Sequence, residues 1–128
     1  MCGNMNVSKI EVGKRGEDEA ILFLEKRGLI LRERNWRFGR KELDIIMEEN
    51  EFIHFIEVKT RVVPALISPY ENIDRKKQNN ILITAANYLR INKIKKEALF
   101  GIVSIELSND AVFKIEYFPN AFRSNWKN

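Results

Sequence analysis

Cysteine is nearly missing from the 128 residues, and Cys2 has no second cysteine with which to close an internal disulfide. That shortage also removes thiol chemistry and cysteine-based metal sites. A single histidine, His54, leaves a zinc cluster or a Ser-His-Asp machine dependent on one imidazole. Six Gly and three Pro against 45% hydrophobic residues exclude collagen-like, mucin-like and wholly disordered chains. Long apolar runs are absent too. The strongest, 81–86, is broken by Thr84 and falls far short of the roughly twenty residues of a membrane span. The first dozen residues carry no leader-like stretch. The expectation is a cytoplasmic protein with no membrane partner, whose chemistry rests on carboxylates and lysines.

What remains suits one compact domain, since the chain is too short for two independent cores. Residues 1–12 are polar and aperiodic, and predict a mobile lead-in before a single domain over 13–128. Ala20, Ile21 and Leu24 follow helical spacing, with Gly28 placed as a C-terminal stop. A strand is expected over 29–36. Two more, over 43–47 and 52–59, flank the Glu48-Glu49-Asn50-Glu51 turn and predict an antiparallel hairpin. The second is apolar on both faces, as in a strand at the centre of a covered sheet. Residues 62–72, with Pro64 and Pro69, read as a loop, and Asp74 as the cap of a helix to about residue 90. Two closing strands over 99–107 and 112–118 complete the order: helix, three strands, helix, two strands. This predicts an α/β chain with one shared core.

The net charge of +4 is mild, but its distribution is not. Residues 26–41 hold seven bases and one acid, 42–57 hold six acids and no Lys or Arg, and 71–96 hold seven bases and two acids. An acidic hairpin between basic flanks fits carboxylates that bind a cation beside a phosphate backbone held by Lys and Arg. Glu48, Glu49 and Glu51 are expected merely to solvate the turn.

Asp44, Glu57 and Lys59 stand out. Glu57 and Lys59 lie two apart on one strand, share a face, and interrupt an otherwise apolar segment where ionised groups need a reason. If the hairpin turns on Asn50 and Glu51, Asp44 opposes Glu57. If it turns on Glu49 and Asn50, Asp44 opposes Phe55 and is diagonal to Glu57. Either register starts the two carboxylates roughly 5 to 8 Å apart, within bridging reach of Mg²⁺ or Mn²⁺. Two carboxylates and a lysine suit phosphodiester hydrolysis, in which the cation acidifies a bound water and the ammonium offsets developing charge.

Gly13-x-x-Gly-Glu17-x-x-Ala20, Asn35-Trp36-Arg37, Glu42-Leu43-Asp44-Ile45-Ile46, Phe55-Ile56-Glu57-Val58-Lys59-Thr60-Arg61, the Lys77 helix and Asn120-Ala121-Phe122 together resemble the YraN-like family of bacterial proteins. That family looks like a compact member of the restriction-endonuclease-like PD-(D/E)xK superfamily. The resemblance implies a restriction-endonuclease-like core, a mixed sheet flanked by helices. It also implies Asp44 and Glu57 as metal ligands, the Val58 carbonyl as a third oxygen, Lys59 as the catalytic lysine, and Glu17 approaching from the first helix. Lys41 stands where the family usually has glycine, and Gly101 where an aspartate commonly begins the fourth strand.

Arg37, Arg40, Lys41, Arg61 and Lys77 are the expected phosphate contacts, with Lys77 on the stripe of Ile81, Ala85 and Tyr88 and with Arg75 and Lys76 facing solvent. Trp36 and Phe38 could stack on unpaired bases, although aromatics at a strand end more often join the core. His54 alternates onto the face opposite Glu57 and is expected to be structural. The expected function is a Mg²⁺-dependent nuclease acting on DNA, including branched or flapped DNA. The rival is a nucleic-acid-binding module of the same fold without turnover. A homodimer would pair two sites for double-strand cutting.

Overall fold

A computed structural model describes residues 9–62, 73–108 and 111–123. Its elements run α1 (Lys9–Glu25), β1 (Ile30–Phe38), β2 (Lys41–Glu48), β3 (Phe52–Val62), α2 (Arg75–Ile91), β4 (Glu97–Ser108) and β5 (Ala111–Phe122). The order is the expected one. The five strands form one mixed sheet in sequence order β1-β2-β3-β4-β5, antiparallel throughout except for the parallel β3–β4 pair. A parallel neighbour needs a crossover, and the segment carrying α2 supplies it.

Each face of the sheet carries one helix. Ile81, Leu82, Ala85 and Tyr88 of α2 pack on Leu43, Ile46, Ile53, Phe55, Phe100, Ile102 and Phe122. Ala20, Ile21 and Leu24 of α1 pack on Ile45, Met47, Ile56, Val103, Ile105 and Leu107. β3 therefore lies at the middle of three layers, which is why its sequence is apolar on both sides.

Local chemistry explains the boundaries. Gly28 takes φ 94° after α1, where the Gly28 and Leu29 N–H groups donate to Glu25 and Leu24 carbonyls and close the last turn. Asp74 caps α2 by accepting the Lys77 N–H at 2.7 Å. Several boundaries differ from expectation, and β3 extends to Val62 instead of ending at 59. α1 starts at Lys9, so 9–12 are helical instead of part of a lead-in: Val12 packs against the cluster of Ala20, Ile21 and Leu24, and Glu11 suits a first turn. β1 runs on to Phe38, and β5 runs through Pro119 to Phe122, a position open to proline because β5 is an edge strand with an irregular register there. Residues 1–8 with Cys2, the proline-bearing 63–72 segment and the 109–110 turn lie outside the described residues. Among those described, no helix is long and apolar enough to cross a membrane.

Candidate active site

β2 and β3 pair from Glu48↔Ile53 to Ile45↔Ile56 and then part. That register places Asn50 and Glu51 at the turn and carries Asp44 to the level of Glu57, the first of the two alternatives left open by the sequence. Beyond the parting point, β2 keeps only β1 as a neighbour and β3 keeps only β4. Asp44 fills the resulting gap: its Oδ2 accepts the Val58 backbone N–H at 2.9 Å, in place of a ladder bond. In an extended strand the N–H and carbonyl of one residue project to the same edge, so the Val58 carbonyl also turns toward β2.

Asp44 is the most perturbed group here. Burial pushes its carboxyl from 3.8 up to about 7, and the Glu57 charge adds to the rise, whereas the Val58 N–H and Lys77 pull the other way. Glu57 is 8% exposed and shares a hydrogen bond with Asp44. Lys77 Nζ, from the first turn of α2, sits 3.6 Å from Glu57 Oε2. Glu17 reaches the same place from α1. Burial raises its pKa first, and the Asp44 charge second. Its carboxylate accepts from Arg34 Nε at 3.3 Å and from Asn35 Nδ2 at 3.3 Å. Asn35 holds φ 54°, a left-handed conformation that asparagine tolerates, and this irregularity puts consecutive Arg34 and Asn35 side chains on Glu17.

The approach of α1 depends on Gly16. A Cβ there would fall inside van der Waals contact with the Thr60 hydroxyl, so only glycine lets α1 sit this close to β3 and carry Glu17 toward Asp44. The Gly-Glu pair of the N-terminal motif is thus one device: the glycine sets the distance and the glutamate uses it.

The structure brings Asp44, Glu57, Val58, Glu17 and Lys77 together. Lys59 follows two residues after Glu57 on the same strand, half-buried and, among the described residues, without an ion-pair partner. Arg61 lies farther along that strand, and with Lys59 and Gly13 lines a cleft between α1 and the end of β3. Arg37 is exposed and pairs with Glu42 at 3.3 Å. Arg40 and Lys41 sit at the β1–β2 turn, past the end of the carboxylate gap.

Two acids expected only to solvate the turn do more. Glu48 accepts from Arg32 at 2.7 Å and from Lys96 at 2.6 Å, and Glu49 lies 2.6 Å from His54 Nε2. The Arg32 and Lys96 partners are distant in sequence, so no local pattern marked them. His54 is buried and its Nδ1 lies 2.6 Å from the Tyr117 hydroxyl. Tyr117 in turn occupies the space over Gly101, where a Cβ would stand 2.7 Å from its ring. A larger residue at 101 is thereby excluded, which accounts for glycine at that position. Arg34, part of the basic run, is spent on Glu17 and on Asp18 at 2.6 Å.

Among the described residues no group of three or more His, Cys, Asp or Glu side chains is gathered for a metal. The donor set is instead two facing carboxylates with a backbone carbonyl beside them. That set fits a hard, oxygen-preferring divalent cation, which commonly takes one or two carboxylates and keeps several waters.

The fold and this carboxylate pair define an α/β chain with a two-acid site at the opening of a β-hairpin. The Uncharacterised protein family UPF0102 has a sequence profile that matches residues 16–105, and the chain belongs to that family. It is 41% identical over 114 residues to a UPF0102 protein of Dictyoglomus turgidum, covering 88% of this chain and 97% of the relative. A UPF0102 protein of Dictyoglomus thermophilum is 44% identical over the same shares, and one from Porphyromonas gingivalis 36% identical over 111 residues, covering 86% and 82%.

Proposed function

We propose that this protein is a Mg²⁺- or Mn²⁺-dependent endonuclease that hydrolyses DNA phosphodiester bonds, with branched or flapped DNA among its substrates. The observation that carries this reading is the facing of Asp44 and Glu57 where β2 and β3 part, a costly pairing of like charges that a bound cation relieves. The mixed sheet with a helix on each face supports membership of the restriction-endonuclease-like superfamily. Asp44, Glu57 and the Val58 carbonyl would hold the cation, which when bound neutralises phosphate charge and acidifies water. Lys59 extends from the same strand end and supplies an ammonium for the charge that develops at phosphorus. Glu17, held by Arg34 and Asn35, keeps a third carboxyl near Asp44 and suits a proton-handling role. Lys77 balances Glu57, and Arg37, Arg40, Lys41 and Arg61 would contact the phosphates of bound nucleic acid.

The test is cleavage of a panel of linear, flapped and four-way DNA substrates by purified protein with each cation in turn. Cutting that needs a divalent cation and disappears in Asp44→Ala and Glu57→Ala, while DNA binding persists, is the expected result. Salt-sensitive binding without cutting under any cation would leave a nucleic-acid-binding module. A homodimer is expected only if both strands of a duplex are cut together, which sedimentation of the DNA complex would show.

A further inference from the structure

The β1–β2 turn carries an aromatic side chain that neither the core nor the carboxylate site uses. Phe38 pairs with Lys41 across a two-residue turn of Gly39 and Arg40, with Gly39 at φ 64°. Glycine at the first central position, with its mirror-image φ, is the pattern of a tight II′ hairpin, so the turn is stiff. Phe38 is 39% exposed, and an exposed phenylalanine alone would need no explanation. Its surroundings are the informative part. One side of its ring lies against Trp36, with centroids 6.1 Å apart and planes 16° from parallel. Trp36 is itself fixed edge-on against Tyr88 at 4.9 Å and 82°, and Tyr88 is fully buried. The Phe38 ring is therefore the outer member of an aromatic group anchored in the core, and more than a third of the residue's surface stays open to solvent.

Two cations lie beside it. Arg40 lies in the turn and Lys41 is its cross-strand neighbour, and among the described residues neither has a carboxylate partner. Arg37 alternates onto the other face of the strand, where it pairs with Glu42. Trp36 belongs to the α2-side cluster with Phe55, and Glu57 follows Phe55 by two residues on the same strand face. Asp44 stands three residues along β2 from Lys41, about 10 Å at the rise of a strand.

We propose that Phe38 is a stacking platform for an unpaired base, and that the segment of nucleic acid held beside the carboxylate gap is single-stranded. A rigid aromatic side chain flanked by two cations, Arg40 and Lys41, is what an unpaired base with phosphates on either side recognises. A duplex, whose bases are already stacked, gains nothing from it. The placement beside the site rests on the nuclease reading; the stacking does not.

The test uses the full chain in EDTA, so that no cleavage is required. A short single strand carrying one 2-aminopurine, and a blunt duplex of the same sequence, are titrated against wild type, Phe38→Leu and Phe38→Tyr. Leucine keeps an apolar contact on Trp36 but offers no π-face. Expected are 2-aminopurine quenching by wild type, about tenfold weaker single-strand binding with lost quenching in Phe38→Leu, and retention of both in Phe38→Tyr. Duplex affinity stays within about twofold across all three. Absent quenching by wild type, or equal effects of Phe38→Leu on single strand and duplex, would overturn the proposal. Urea midpoints for each variant guard against a folding defect. Failure to cleave in Mg²⁺ with stacking intact would sink the nuclease reading alone, whereas cleavage with unaltered single-strand binding in Phe38→Leu would sink the stacking alone.

Discussion

Replacing Asp44 by asparagine is expected to make the metal-free protein more stable at about pH 8. Asparagine keeps an oxygen for the Val58 N–H but removes the buried charge that faces Glu57. Asp44 is an acid whose folded pKa, about 7, lies above its ordinary 3.8. Its destabilising contribution is therefore absent at strongly acid pH, grows as pH rises from 3.8, and is complete above about 7. The whole rise corresponds to about 4 kcal/mol as a ceiling. Because the surroundings of a buried carboxyl relax around its charge, about 2 kcal/mol is the expected gain at pH 8, with less than half of it left at about pH 5. Urea unfolding in EDTA at both pH values measures it directly. Adding Mg²⁺ at the higher pH should then stabilise wild type alone and narrow the difference. An Asp44→Asn protein that is less stable than wild type at pH 8, or whose gain is the same at both pH values, would refute the account of a strained carboxylate pair.

Gly16→Ala is expected to lower stability by about 1 to 3 kcal/mol, because α1 must lift off β3, and Thr60→Ala should restore part of it by clearing the colliding hydroxyl; chemical denaturation of both and of the double variant decides this. Lys77→Met removes a cation that favours ionised Asp44, so the Asp44 titration followed by carboxyl NMR should move above about 7, and no upward movement would contradict the assigned role. Gly101→Ala should cost about 1 to 3 kcal/mol, since the added methyl meets both the Tyr117 ring and the Phe118 carbonyl oxygen. A change in the His54 ring signals should accompany it, because Tyr117 would leave Nδ1.

The layers were legible where sequence patterns are local. Alternation and two-sided hydrophobicity marked β3 as the central strand, Gly28 marked the end of α1, and Asp74 marked the start of α2. The Asp44–Glu57 facing could be narrowed to two registers, because a hairpin with a short turn has few ways to pair. The choice between them, and the parting of the strands past Ile45 and Ile56, needed the structure, since nothing in the spacing of residues says where a ladder ends. Long-range polar partners were hidden for the same reason. Arg34 belongs by sequence to a basic run, yet it is consumed by two acids sixteen and seventeen residues earlier. Lys96 lies 48 residues from Glu48 and still supplies its shortest contact. Phe38 and Trp36 look alike on the sequence, and only the edge-on contact with Tyr88 separates the anchored ring from the open one.

The Val58 backbone proton answers to a side chain, Asp44, instead of to a neighbouring strand. Its exchange with solvent therefore reports the state of Asp44. While the carboxylate is ionised the N–H faces a full negative charge and is held; on protonation the acceptor weakens and the amide becomes easier to free. The fold thus contains its own isotopic probe of the carboxylate pair, readable at a single residue in the middle of the sheet without any substrate present.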